Sequence, residues 1–129
     1  MLKNKNSKGI YIDKIFMELT NLCNFDCVFC PNDKMTRKRQ FMDPVLAKSL
    51  IDQIVDNRIS QKIVFCLMGE PLLYSHIFEI LKYAVERNIK ATLSTNGALL
   101  SRDSNIIDKL LDIPLDVLQV SLQTATPES

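Results

Sequence analysis

The sequence predicts an α/β protein of about four parallel strands and three helices. Short apolar runs rich in β-branched residues alternate with stretches in which apolar residues recur at helical spacing. Consecutive strand-like runs are separated by enough residues to hold a helix, as parallel crossovers require. The chemically unusual residues fall where the strand-like runs end, the edge at which parallel sheets gather ligands.

The first strand, 10–19 (IYIDKIFMEL), is β-branched and aromatic and runs straight into a cysteine-rich stretch. After a basic loop, 43–57 reads as a helix. Asp43 can cap it, Pro44 suits its first position, and Ala47, Leu50, Ile51 and Ile54 share one face. Residues 62–68 (KIVFCLM) are continuously apolar, as expected of a strand buried on both faces. The second helix is expected from a Ser75 cap through Asn88, with Ile77, Ile80, Leu81 and Ala84 on its inner stripe.

Residues 89–94 form the third strand and lead to an Asn96-Gly97 turn. A third helix, about 102–112, carries Ile106, Ile107, Leu110 and Leu111 and stops before Pro114. In the fourth strand, 115–123, Val120 and Leu122 alternate with Gln119, Ser121 and Gln123. The closing TATPES resembles another helix start, with Thr126 as cap and Pro127 at the first position, so the domain reads as truncated before its last strands. Residues 1–10 read as a basic, flexible tail and 11–129 as one domain.

The 129 residues suffice for one core. With 47% hydrophobic and 24% charged residues and a net charge of +1, the chain reads as an ordinary globular protein with no charge signal for nucleic acid. No apolar run approaches the ~20 residues of a membrane span, and the basic N-terminus lacks the apolar core of a secretory signal. Four cysteines without such a signal point to a cytoplasmic protein with reduced thiols. In that setting, clustered cysteines serve metals or catalysis rather than disulfides.

Cys23, Cys27 and Cys30 fall in a C-x3-C-x2-C pattern. A structural zinc ion takes four protein ligands, usually in two spaced pairs. The candidates for a fourth are Cys66, inside an apolar run where a cysteine behaves as a small hydrophobe, and His76, at a helix start. Three thiolates also suit a [4Fe–4S] cluster, normally held by four cysteines, with one iron left open to a substrate or cofactor. On the residues alone, a zinc-binding or interaction module stands beside an iron–sulfur enzyme.

That cysteine spacing, with Phe29 just before the last thiol and the loop following the first strand, resembles the radical S-adenosylmethionine (SAM) superfamily. MGEP (68–71) resembles the superfamily's G-G-E-P motif; Gly69, Glu70 and Pro71 match, and Met68 stands where the first glycine would be. STNG (94–97) resembles the segment after the third strand. CPNDKMTRKRQFMD (30–43) resembles members that carry an additional C-terminal cysteine-rich, SPASM-type domain. The resemblance spans about residues 12–124.

It implies a partial (β/α) barrel in which Cys23, Cys27 and Cys30 hold a [4Fe–4S] cluster and S-adenosyl-L-methionine chelates the open iron. Glu70, flanked by Gly69 and Pro71, would hold the amino group of SAM, and Phe29 would pack against the adenine. Ser94, Asn96 and either Ser121 or Gln123 would supply polar contacts. The resemblance further implies reductive cleavage of SAM to a 5′-deoxyadenosyl radical and hydrogen abstraction from a substrate, a peptide or a small molecule, with a fragment that binds the cluster without catalytic activity as the alternative. The electron would come from a donor such as flavodoxin or ferredoxin. The basic run 34–40 reads as a solvated loop, with contact to an anionic substrate as the sharper alternative.

Overall fold

Asp43 starts the first crossover as expected. Its carboxylate accepts from the Val45 and Leu46 amides, Pro44 takes the first position, and helix α1 runs Pro44–Asp56. The computed structural model describes residues 12–122. The expectations for the 1–10 tail, for Ile10 at the start of the first strand, for Gln123 and for a helix at Thr126–Pro127 lie outside the described residues.

Strands β1 (Ile15–Met17), β2 (Lys62–Phe65), β3 (Lys90–Thr95) and β4 (Val117–Val120) form one sheet in sequential order. All three pairings are parallel, with Met17 beside Phe65, Phe65 beside Leu93, and Leu93 beside Leu118. Helices α1, α2 (Ile77–Glu86) and α3 (Ser104–Leu111) fill the crossovers. Because side chains alternate along a strand, residues in register share a face. Met17, Ile63, Phe65, Ala91 and Leu93 on one face are all buried, in one core with Ala47, Ile51, Ile80, Leu81 and Ala84 of the helices. Each large side chain so buried contributes roughly 1.5–3 kcal/mol. On the other face, Phe16 is 51% exposed, and Val64, Thr92 and Ser94 are half-buried.

Several expected boundaries shift. The first strand is three residues long, and the chain from Glu18 onward turns into the loop region, with Thr20 bridging to Phe41. The second strand stops at Phe65 and is buried on one face only, alternating with half-buried Lys62 and Val64. Apolarity of the run does not by itself supply a second covering layer. Ser75 does not cap α2; His76 occupies that position without a side-chain cap bond. A 3₁₀ turn, Pro71–Leu73, leads almost directly into the helix, and the Tyr74 carbonyl accepts from the Ile77 amide. At the other end Asn88 leaves the helix at φ 61°, a left-handed conformation that asparagine tolerates.

The third helix buries only Leu110 fully, while Ile107 and Leu111 are 42% and 78% exposed. With Leu118 they border an apolar groove of about 390 Å³. Every residue of β4 is exposed because no strand or helix among the described residues covers that edge.

Candidate functional site

The loop after β1 carries three cysteines. Cys23, Cys27 and Cys30 are half-buried, while every other residue of 24–29 is exposed. A turn brings the Cys30 amide to the Cys27 carbonyl at 2.9 Å. Phe29, 66% exposed, and Val28, fully exposed, stand at the tip, so Phe29 presents most of its ring to solvent.

The chain following the cysteines folds back to brace the loop. After a 3₁₀ turn at Pro31–Lys34, Asn32 donates to the Asn21 carbonyl at 3.2 Å and to the Met68 carbonyl. Asn21, buried, accepts from the Gln40 amide at 2.8 Å and donates to the Lys38 carbonyl at 2.8 Å. Arg39 donates to the Asn21 carbonyl at 3.0 Å and to Asn32. Glu18 receives Arg37 at 2.7 and 3.3 Å and the Met68 amide at 3.1 Å, and this pairing raises the Arg37 guanidinium above its usual range. The basic run is exposed apart from Met35, as a solvated loop would be, and its two arginines are in addition engaged by the chain itself.

The MGEP segment presses against the same loop. A Cβ placed on Gly69 would lie 2.2 Å from the Thr20 carbonyl oxygen and 2.6 Å from that of Leu22, so this glycine permits a close backbone approach. The Glu70 amide donates to the Leu22 carbonyl at 2.8 Å, and Pro71 opens the 3₁₀ turn. The Glu70 side chain is only 2% exposed. Its Oε1 accepts from the Thr95 hydroxyl at 2.6 Å and the Leu72 amide at 3.1 Å, and Oε2 accepts from the Asn96 amide at 2.8 Å. The carboxylate thus ties the end of β3 to the segment after β2.

Asn96 extends that tie to the cysteines. Its side-chain nitrogen donates to Asn24 Oδ1 at 2.8 Å and lies 3.9 Å from Cys23 Sγ. Ser94 and Ser121 stand half-buried at the ends of β3 and β4, with the Ser121 amide bonded to the Thr95 carbonyl. The structure thus joins Cys23, Gly69, Glu70 and Asn96 directly, with Ser94 and Ser121 on neighbouring strands of the same edge. Cys66 is half-buried one residue past β2, and burial pushes its thiol pKa up. His76 is engaged with Glu79 at 3.0 Å.

Sequence reasoning passed over Thr95, Asn24, Asn21, Asn32 and Glu18. Thr95 carried a usable signal: strand periodicity puts this hydroxyl on the helix-facing side, where a buried polar group needs a partner. The others sit in loops whose folding back no periodicity encodes.

Among the described residues, no three His, Cys, Asp or Glu side chains converge closely enough to hold a metal ion. The donor set nevertheless fits an iron–sulfur cluster. Three unbridged, half-buried cysteines share one short loop, which is braced at both ends while its tip is exposed.

The Radical SAM superfamily model matches residues 17–128. The chain belongs to the radical SAM superfamily. It is 32% identical over 123 residues to an AdoMet-dependent heme synthase of Methanosarcina barkeri, covering 89% of this chain and 32% of that protein. It is 31% identical over 130 residues to a probable GTP 3′,8-cyclase of Methanocaldococcus jannaschii, covering 96% of this chain and 41% of that protein. The crystal structure of BtrN in complex with AdoMet and 2-DOIA superposes with a TM-score of 0.76 at 26% identity, covering 88% of this chain and 47% of that one. The radical SAM chain thus spans under half the length of these relatives. Its homologues are enzymes, and the cofactors of the superfamily are a [4Fe–4S] cluster and SAM. The four parallel strands and three helices are the part of the radical SAM fold that this chain shares with them.

Proposed function

We propose that this domain is the cofactor-binding core of a radical SAM enzyme, with Cys23, Cys27 and Cys30 holding the cluster. The observation that carries the reading is the half-buried set of three cysteines on one loop, with Cys23 linked through Asn96 and Glu70 to the segments that follow β3 and β2. A cluster held there would supply the one electron needed for reductive cleavage of the sulfonium C–S bond of SAM and so for hydrogen abstraction from a substrate.

The chain's own residues bind and orient. Cys23, Cys27 and Cys30 would hold the cluster with one iron open to SAM, since His76 is paired with Glu79 and the Cys66 thiol pKa is raised by burial. Phe29 offers an exposed ring for the adenine. Ser94 and Ser121 offer hydroxyls at the strand ends. Gly69 and Pro71 shape the turn beside them, and Glu70 supports this edge from beneath. Both its oxygens are already engaged, so its part in holding the SAM amino group is to fix the backbone around it.

A peptide substrate is supported by the likeness of segment 30–43 to SPASM-type members. Arg37 and Arg39 brace the loop, so their charge is not the grip on that substrate. We further propose a cytoplasmic enzyme supplied with electrons by a flavodoxin or ferredoxin. Among the described residues no helix is long and apolar enough to cross a membrane.

Anaerobic purification tests the reading. The expected result is about four iron per chain with broad absorption near 400 nm, lost in a variant with all three loop cysteines changed to alanine. Incubation with dithionite and SAM should yield 5′-deoxyadenosine. One zinc per chain and no colour would overturn the reading in favour of a structural metal module.

A further inference from the structure

The Asn96 side chain is fixed in orientation. Its Oδ1 accepts from the Ala98 amide at 3.0 Å, and its backbone amide is held by Glu70 at 2.8 Å. With the oxygen so committed, the two hydrogens of Nδ2 face the cysteine loop. One serves Asn24 Oδ1 at 2.8 Å and the other points toward Cys23 Sγ, 3.9 Å away. Among the described residues, no other side-chain donor is found at any of the three loop sulfurs.

We propose that Asn96 is a positioning residue that tunes the cluster's reduction potential by hydrogen bonding to the Cys23 sulfur. This inference rests on the proposed assignment of Cys23 as an iron ligand. A donor aimed at a ligating thiolate offsets part of its negative charge, which favours the more electron-rich, reduced cluster and raises the potential. Glu70 acts through Asn96 by holding its backbone, so the helix-facing carboxylate bears indirectly on the cluster. Asn96 directly follows β3, and its backbone amide is held by Glu70, which lies outside the cysteine loop.

The test is a redox titration of the intact protein with its reconstituted cluster, without SAM. Asn96→Leu removes the donor at similar volume and should lower the potential. A tenfold shift of the equilibrium, about 59 mV for a one-electron couple, is the expected scale. Asn96→Asp should lower it further by adding negative charge. Asn24→Ala leaves the Asn96–Cys23 contact in place and should hold the wild-type potential.

An unchanged potential in Asn96→Leu overturns the proposal, and so does an equal fall in Asn24→Ala, which would trace the shift to loop disturbance. Weakened SAM binding with an unchanged SAM-free potential would make Asn96 a SAM contact instead. Should the Asn96 variants lose the cluster, the iron–sulfur stretching bands of the wild-type protein in H₂O and D₂O decide the matter. Bands insensitive to exchange overturn the proposal, and a shift upholds it. A wild-type protein that takes up zinc and no iron overturns the site assignment, and this inference with it.

Discussion

Replacing Glu70 with alanine is the most direct test of how the site is built. The substitution leaves the Thr95 hydroxyl and the Leu72 and Asn96 amides without their acceptor. Hydrogen bonds to a charged group contribute roughly 1.5–3 kcal/mol each, and a buried donor left unpaired loses its solvation as well. The three share one acceptor and are not additive, and the Asn96 amide is near enough to solvent to recover part of its loss. A total of about 4 kcal/mol is expected, or a fall in Tm of roughly 12–16 °C for a domain of this size.

Glu70→Gln keeps one acceptor oxygen but turns an amide NH₂ toward one of the donors, so about half the loss should remain. The assay is thermal and denaturant unfolding of the protein without iron or SAM. A residue whose main role was to bind the SAM ammonium would leave this stability unchanged and alter only the SAM affinity. Loss of less than about 1 kcal/mol in Glu70→Ala would refute the latch described above.

Gly69→Ala should drive the start of the cysteine loop outward, because its Cβ meets backbone oxygens at 2.2 and 2.6 Å. Overpacking against backbone is expected to cost about 3 kcal/mol, and iron uptake should fall with it; normal iron content at wild-type stability would refute the close approach. Asp43→Ala removes the cap of α1 and should cost about 1 kcal/mol in urea unfolding without changing the iron–sulfur spectrum. Glu79 lies below the usual carboxylate range because Lys48 and His76 hydrogen-bond to it. Its stabilisation is therefore present above the ordinary carboxylate pKa and is lost as pH falls through the lowered folded value. The melting temperatures of wild type and Glu79→Gln should converge on acidification from about pH 5 to 3; a constant gap would refute the linkage.

The inner stripes of α1 and α2 were legible except at Leu50, which was expected on the α1 stripe and is only half-buried. Ala47, Ile51 and Ile54, and then Ile77, Ile80, Leu81 and Ala84, recur at helical spacing and are all buried. Periodicity failed at α3, where Ile107 and Leu111 belong to the predicted stripe yet remain exposed. A helical pattern says which residues can be buried together, not whether a neighbour lies opposite them. For the same reason β2 was expected to be covered on both faces but is buried on one.

The sequence by itself determined the order of strands and helices, the placing of three cysteines after the first strand, and the likeness to the radical SAM superfamily. Those features depend on neighbours in the chain: spacing, caps and the alternation of apolar residues. Only the tertiary structure decided what Glu70 and Asn96 touch. Read locally, Glu70 is a loop carboxylate free to meet a ligand; folded, it is buried and satisfied by donors from its own turn and from β3, some 25 residues away. Asn96 reads as half of a turn, yet its amide reaches a cysteine loop 73 residues earlier in the chain. Parallel pairing brings the carboxyl ends of successive strands to one edge. Which donors then meet which acceptors there is set by the registers of the strands and the folding back of residues 31–40, neither of which is written in any local pattern.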